Sequence, residues 1–191
     1  WVGGVDLRLG RFAYRDGLEI ATGDAKIDWL KRVRGSEKLI GPFGWSAFQR
    51  SFDGIQVSVD QPLFNWTTVA SRPTQGGFEE KAGETIDTIG LLATSLTLKP
   101  SEGLPHTSPR FFYLRYDDER NVSQRVDNVT ATAPQVDIAI NTYGADVAGG
   151  YPLGDGELDA LAWVAAQEGD WYDLDHRAFA LALEGGYQWT Q

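Results

Sequence analysis

Residues 177–190, Arg-Ala-Phe-Ala-Leu-Ala-Leu-Glu-Gly-Gly-Tyr-Gln-Trp-Thr, decide how this chain folds. Phe179, Leu181, Leu183, Tyr187 and Trp189 share one parity, while Ala178, Ala180, Ala182, Glu184, Gly186, Gln188 and Thr190 share the other. Successive side chains of a β-strand point to opposite faces, so the segment is large and apolar on one side and small or polar on the other. A soluble sandwich buries such a face against a second sheet. A transmembrane β-barrel turns it to lipid and lines its lumen with the polar parity, with aromatics at the membrane interface.

The pattern recurs. Eight segments separated by Gly, Pro, Asp and Asn read as strands, at 3–14, 44–60, 63–72, 85–98, 109–117, 135–147, 157–168 and 177–190. Most exceed the ~5–6 residues of ordinary strands and suit a tilted membrane strand of ~9–11. Ile55, Val57 and Val59 oppose Gln56, Ser58 and Asp60. Phe112, Leu114 and Tyr116 oppose Tyr113, Arg115 and Asp117, and Val136, Ile138 and Ile140 oppose Asp137, Ala139 and Asn141. In 157–168 the alternation weakens, because Leu161 and Trp163 share the parity of Asp159 and Gln167. Ile27, Leu30 and Val33 recur at near-helical spacing, which predicts a short helix over 25–34, stopped by Gly35, in the loop between the first two strands.

Composition narrows the function. The 191 residues hold no cysteine, which removes disulfides, thiolate metal sites and a cysteine nucleophile. A formal charge of −10 argues against nucleic acid as a partner. The longest apolar run, Ala160–Ala166, falls far short of the ~20 residues of a membrane helix. His106 and His176 are the only histidines, so no transition-metal spacing arises and no cofactor is expected. Asp155, Glu157 and Asp159 read as a polar turn, since the distal bidentate Glu of a calcium loop is missing. The acceptor-type triplets at Asn65, Asn121 and Asn128 carry no weight. The chain begins at Trp1, inside a strand-like run, and stops at Gln191 without a cap, so it reads as a fragment incomplete at both ends.

No catalytic motif is present, and the residues that stand out are arginines. Arg8 shares the polar parity with Asp6, Arg50 with Gln56 and Asp60, and Arg115 with Tyr113 and Asp117. In a lumen such charges select ions by sign and bind carboxylates bidentately. Arg11 and Arg72 fall on the apolar parity unless a bulge intervenes.

The order of several short motifs resembles the alginate-export family of bacterial outer-membrane β-barrels. These are Leu9-Gly10-Arg11-Phe12, then Gly44-Trp45-Ser46 leading to Arg50-Ser51-Phe52-Asp53-Gly54-Ile55, Arg72-Pro73, Gly90-Leu91-Leu92 and Phe112-Tyr113-Leu114-Arg115-Tyr116. The strands from Leu158 through Gln167 to Tyr187 are also similar, so the resemblance spans nearly the whole chain. It implies an all-β, antiparallel transmembrane barrel of eighteen strands, of which residues 1–191 would form one segment of about eight. It also implies a bacterial outer-membrane location, contact with lipid, and diffusion of an anionic polysaccharide or small solute through an arginine-lined lumen, without covalent chemistry. By motif position, Arg11, Arg50, Arg72 and Arg115 carry over as lumen residues, with Asp53 as a pairing partner. Two features depart from the family: the chain is acidic, and Leu161 and Trp163 lie on the presumed lumen parity.

Two other classes make different expectations. A soluble carbohydrate-binding sandwich would gather Trp45, Trp66, Trp163, Trp171 and Trp189 on one exposed face. A β-rich hydrolase would bring two carboxylates together in a cleft.

Overall fold

The computed structural model describes residues 3–44, 46–77, 80–120, 137–172 and 174–189. Eight strands run in chain order through one sheet: β1 Gly4–Phe12, β2 Phe52–Asp60, β3 Phe64–Pro73, β4 Ile89–Leu98, β5 Thr107–Asp118, β6 Ile138–Leu153, β7 Gly156–Trp171 and β8 Leu174–Trp189. Each pairs antiparallel with its sequence neighbours, so the sheet is an up-and-down meander with β1 and β8 as its edges. All eight expected strands are present. The expectations at Trp45, Val136, Thr190 and the triplets at Asn121 and Asn128 lie outside the described residues.

The second strand was expected from residue 44 but starts at Phe52. The intervening residues belong to the preceding loop, where Arg50 N–H donates to the Pro42 carbonyl and Phe48 bridges to Gly77. The loop's helix is also shorter than its apolar spacing implies: α1 spans Ala25–Leu30 and widens into a π turn over Lys31–Gly35. Asp24 starts it, its carboxylate accepting from the N–H groups of Lys26 and Ile27.

The loop between β1 and β2 decides the rest of the architecture. It lies across one face of the sheet, and three apolar clusters join the two. Tyr14 packs with Phe52, Val69, Leu91 and Leu114. Ile27 and Leu30 pack on Ala148 and Leu161, and Leu39 packs on Phe112, Trp163 and Ala165. The Phe112 and Trp163 rings stack at 6.1 Å. This explains the weak alternation of β7. Leu161 and Trp163 do share a face with Asp159 and Gln167, but that face is roofed by the loop and is dry.

The opposite face is bare. It carries Leu7, Leu9, Trp66, Leu96, Phe111, Tyr143 and Val164, and on β8 Phe179, Leu181, Leu183 and Trp189, of which Phe179 is 84% exposed. The parity of residues 177–190 is therefore as expected, with the large apolar side chains outward. From Phe179 to Trp189 the stripe rises ~33 Å along the strand at ~3.3 Å per residue, or ~25 Å in height at a tilt of ~40°. Phe64, Trp66, Phe111, Tyr151, Tyr187 and Trp189 sit towards the end of the sheet where Gln61–Leu63 and Gly154–Asp155 make tight connections.

Glycine is required where the roofed side chains cross a neighbouring strand. Gly144 faces Phe112 in register, and a Cβ there would collide with the Phe112 ring and lie 2.6 Å from the Val164 carbonyl oxygen. Gly144→Ala is expected to cost about 1–3 kcal/mol through this overpacking. The midpoint of denaturant unfolding in detergent measures it, and an unchanged midpoint would show that the ring relaxes freely.

Candidate functional site on the loop-covered face

The chemistry of the covered face centres on Arg110 of β5, which is 1% exposed. Strand alternation aims it inward together with Phe112 and Leu114, and its guanidinium lies 4.6 Å from the Phe112 ring centroid. Its Nη1 donates to Asp146 of β6 at 2.9 Å. Its Nη2 donates to two loop carboxylates, Asp16 at 2.5 Å and Glu19 at 2.6 Å. Glu19 also accepts from Tyr14 Oη at 3.2 Å and from the Gly17 N–H at 3.1 Å. Lys31 is buried nearby.

These groups pull in different directions. Burial pushes the Asp16 carboxyl up, and the charge of Arg110 only partly offsets it. Burial also acts on Glu19, but Arg110 and additional donors outweigh it and hold that carboxyl below its usual range. Burial lowers Lys31, with Glu19 and Asp146 opposing the shift. Hydrogen bonding within the cluster is incomplete. Among the described residues, Arg110 Nε, Asp16 Oδ2, Glu19 Oε2 and Lys31 Nζ are buried without a hydrogen-bond partner.

Ion pairs fasten the loop further along the face. Asp159 of β7 is fully buried and accepts from Arg34 Nη1 at 2.6 Å, with Lys26 Nζ 3.3 Å away. Lys26 also lies 3.3 Å from Glu157 and donates to Gln188 of β8 at 2.8 Å. Asp159 and Glu157 therefore serve the loop's cations, and no group of three His, Asp or Glu side chains among the described residues could hold a metal ion. Carboxylates do converge at Arg110, but they are buried and tied to its guanidinium rather than set in a hydrolytic cleft.

The arginines singled out by sequence divide between the faces. Arg50 stays on the loop side, where its Nε donates to the Thr74 carbonyl at 3.1 Å and its guanidinium covers the Phe43 ring at 4.6 Å. It lines a cavity of about 250 Å³ between the loop and β2–β7, shared with Phe52, Leu114, Tyr116, Ile140 and Trp171. Arg8 sits opposite Gln56 on the covered parity, at the exposed edge strand beside Asp6 at 3.5 Å.

Arg11, Asp53, Arg72 and Arg115 point to the bare face, away from the face that the loop covers and that holds Arg8, Arg50 and Arg110. No bulge breaks β1 or β3, so Arg11 stays in line with Leu7 and Leu9, and Arg72 with Trp66 and Ala70. Arg11 grips Asp53 through two bonds of 2.7 Å, and Asp53 also accepts from the Thr85 hydroxyl. Arg72 lies 3.3 Å from Asp87, and Arg115 clasps Asp117 at 2.7 and 2.9 Å. Together these pairs form a charged belt beyond the apolar stripe, at the end of the sheet opposite the 61–63 and 154–155 connections. Arg115 falls on the bare face because the loop covers the other one, where Phe112, Leu114 and Tyr116 pack. The same effect hid Arg110, which shares its parity with Phe112 and Leu114. A signal was available in the sequence: an Arg in line with aromatics on β5 and an Asp in line with Ile138 and Ile140 on β6.

The aromatic tryptophans do not gather on one face, since Trp66 and Trp189 lie on the bare side and Trp163 and Trp171 on the covered side. The described residues form one sheet and not two packed face to face, as a sandwich would require. An all-β antiparallel meander with an apolar exterior, aromatics at one rim, charges at the other and a polar, loop-filled interior has the construction of an outer-membrane barrel wall. The family model for alginate export matches residues 3–191, and the chain belongs to that family. Alginate export is polysaccharide transport, and the antiparallel all-β sheet fits an outer-membrane setting. Neither the curated proteins nor the solved structures compared with the chain gave a match.

Proposed function

We propose that the eight strands are part of the wall of a larger outer-membrane channel, with the 13–51 loop folded into its lumen. The channel passes an anionic polysaccharide or a small solute by diffusion. The observation that carries this reading is the two-faced sheet. Its bare face offers a ~25 Å apolar band to lipid, and its other face collects buried charge. The two unpaired edges at β1 and β8 support further strands, because an open edge in lipid leaves backbone groups without partners. The connections 61–63, 99–106 and 154–155 are shorter than 13–51, 74–88 and 119–137 at the other end, where only 172–173 is tight. This asymmetry supports the first as the periplasmic end, with the Arg11–Asp53, Arg72–Asp87 and Arg115–Asp117 belt meeting headgroups at the second. In this arrangement Arg8, Arg50 and Arg110 are the lumen arginines, acting by charge and hydrogen bonding on what passes.

Planar-bilayer recording of the full-length protein tests the reading. Stepwise conductance is expected, and Arg50→Ala should shift its anion-to-cation selectivity while Arg115→Ala leaves it unchanged. Protein that stays soluble without detergent and never conducts would sink the channel.

A further inference from the structure

The cavity of about 250 Å³ between the loop and the wall lies at the end of the sheet that carries the charged belt. Strands β2 to β7 contribute to it at nearly one level, because Phe52 pairs with Pro73, Leu91 with Tyr116, Tyr116 with Ile140 and Ile138 with Trp171. Strand alternation turns Leu91, Leu114 and Ile140 inward there. Leu39, Ile40 and Phe43 of the loop line the same space from the other side.

Interiors pack as densely as organic crystals and hold few voids larger than a water molecule. An apolar cavity of ~150 Å³ stays dry and takes up benzene, so this one matches a molecule of about ten heavy atoms. The polar groups of its lining are engaged with each other or with their neighbours. Gln167 Nε2 donates to Thr142 Oγ1 at 3.0 Å, and Gln167 Oε1 lies 3.1 Å from His176 Nε2. Tyr116 Oη donates to Asp118 at 2.9 Å, and Arg50 Nε donates to the Thr74 carbonyl at 3.1 Å. Trp171 is the exception. Among the described residues its indole Nε1–H is buried without a hydrogen-bond partner, although buried donors ordinarily find one.

We infer that this cavity is a binding site for a small uncharged aryl molecule with one hydrogen-bond acceptor, which the Trp171 N–H meets. Phe43, Phe52, Tyr116 and Trp171 give such a ring faces and edges to pack on. An ion would lose its hydration among these side chains. Arg50, the cation of the lining, already lies against the Phe43 ring at 4.6 Å. The ligand touches loop and wall at once, so its binding ties residues 39–50 to the sheet. The site is separate from the Arg110 cluster and does not depend on what the channel passes.

The test is the thermal unfolding midpoint of the full-length protein in detergent, titrated with acetophenone, an aryl ketone of this size. Benzoate, of equal size but charged, is the comparison. A ligand that binds only the folded protein raises the midpoint as its concentration passes the dissociation constant. Acetophenone is expected to do so and benzoate is not. Trp171→Phe keeps a ring but loses the N–H, and is expected to raise the acetophenone concentration needed about fivefold. Ile140→Trp fills the cavity and is expected to abolish the rise; a heat-modifiable gel shift shows that both variants fold. Detergent takes up acetophenone alike for every form, so the difference from Ile140→Trp reports the site. No rise in the wild type, or an equal rise in Ile140→Trp, would overturn the site. An unchanged response in Trp171→Phe would overturn the indole as its donor, and a benzoate rise equal to that of acetophenone would overturn the uncharged class. Protein that conducts but never responds to acetophenone would sink this inference and leave the channel standing.

Discussion

Leu183→Arg on β8 is expected to destabilise the protein in lipid vesicles by about 2–4 kcal/mol, the cost of a cation near the bilayer midplane. Leu183 is 70% exposed, lies beside Ala162 on the bare face, and sits near the middle of the stripe from Phe179 to Trp189. Were this face in water, the same change would replace an exposed apolar side chain by a solvated one and shift stability by no more than about 0.5 kcal/mol. The two environments thus differ several-fold in expected effect. Depth supplies the control. Ala139 lies on the same face opposite Asp117, level with the charged belt, and Ala139→Arg is expected to cost only about 0–1 kcal/mol. Reversible denaturant unfolding from vesicles measures both, and equal costs at the two depths would remove lipid from the bare face.

Arg110→Met is expected to have the larger effect, about 3–5 kcal/mol, although Met fills much of the same volume. The loss comes from what is left behind: Asp16, Glu19 and Asp146 remain buried around an uncharged side chain. The sign of the pH dependence follows. Asp16 is already held above its usual range by burial, and removing Arg110 takes away the charge that opposes this. A carboxyl whose folded pKa is raised contributes stability below the unfolded value, which is lost as pH rises through the folded one. Arg110→Met is therefore expected to be closer to wild type at mildly acidic pH and to weaken as pH rises. Adding Asp16→Asn and Glu19→Gln should restore much of the loss. Unfolding midpoints across pH measure this, and a loss independent of pH and of the loop carboxylates would mean the cluster is already neutral.

The arginines at 11, 72 and 115 are a caution against reading function from residue type. Each is paired with a carboxylate on the bare face while 41–57% exposed, and such pairs contribute little to stability. Their value in the channel reading is position, marking where the apolar band stops. The acidic net charge likewise says little about the passage, because much of the inner acid is spent on the loop. Asp159 holds Arg34 and Lys26, Glu184 lies 3.4 Å from Lys38, and Asp146 holds Arg110.

Most of the wall was legible in one dimension. Residues 177–190 alternate with no help from elsewhere, and eight such runs separated by turn residues specify an antiparallel meander, because side-chain period and turn chemistry are local properties. Membership of the alginate-export family was legible for a related reason, as ordered short motifs survive in sequence whatever they face. The sides of the residues were not. Phe112, Leu114, Ile138 and Ile140 could be buried in lipid or beneath a loop, and alternation is blind to which. That choice belongs to the 13–51 segment, whose Tyr14, Ile27, Leu30 and Leu39 dry the inner face. Once it is dry, Arg110 can be buried only by collecting Asp16 and Glu19 from the loop and Asp146 from β6, a convergence that only the folded structure brings about.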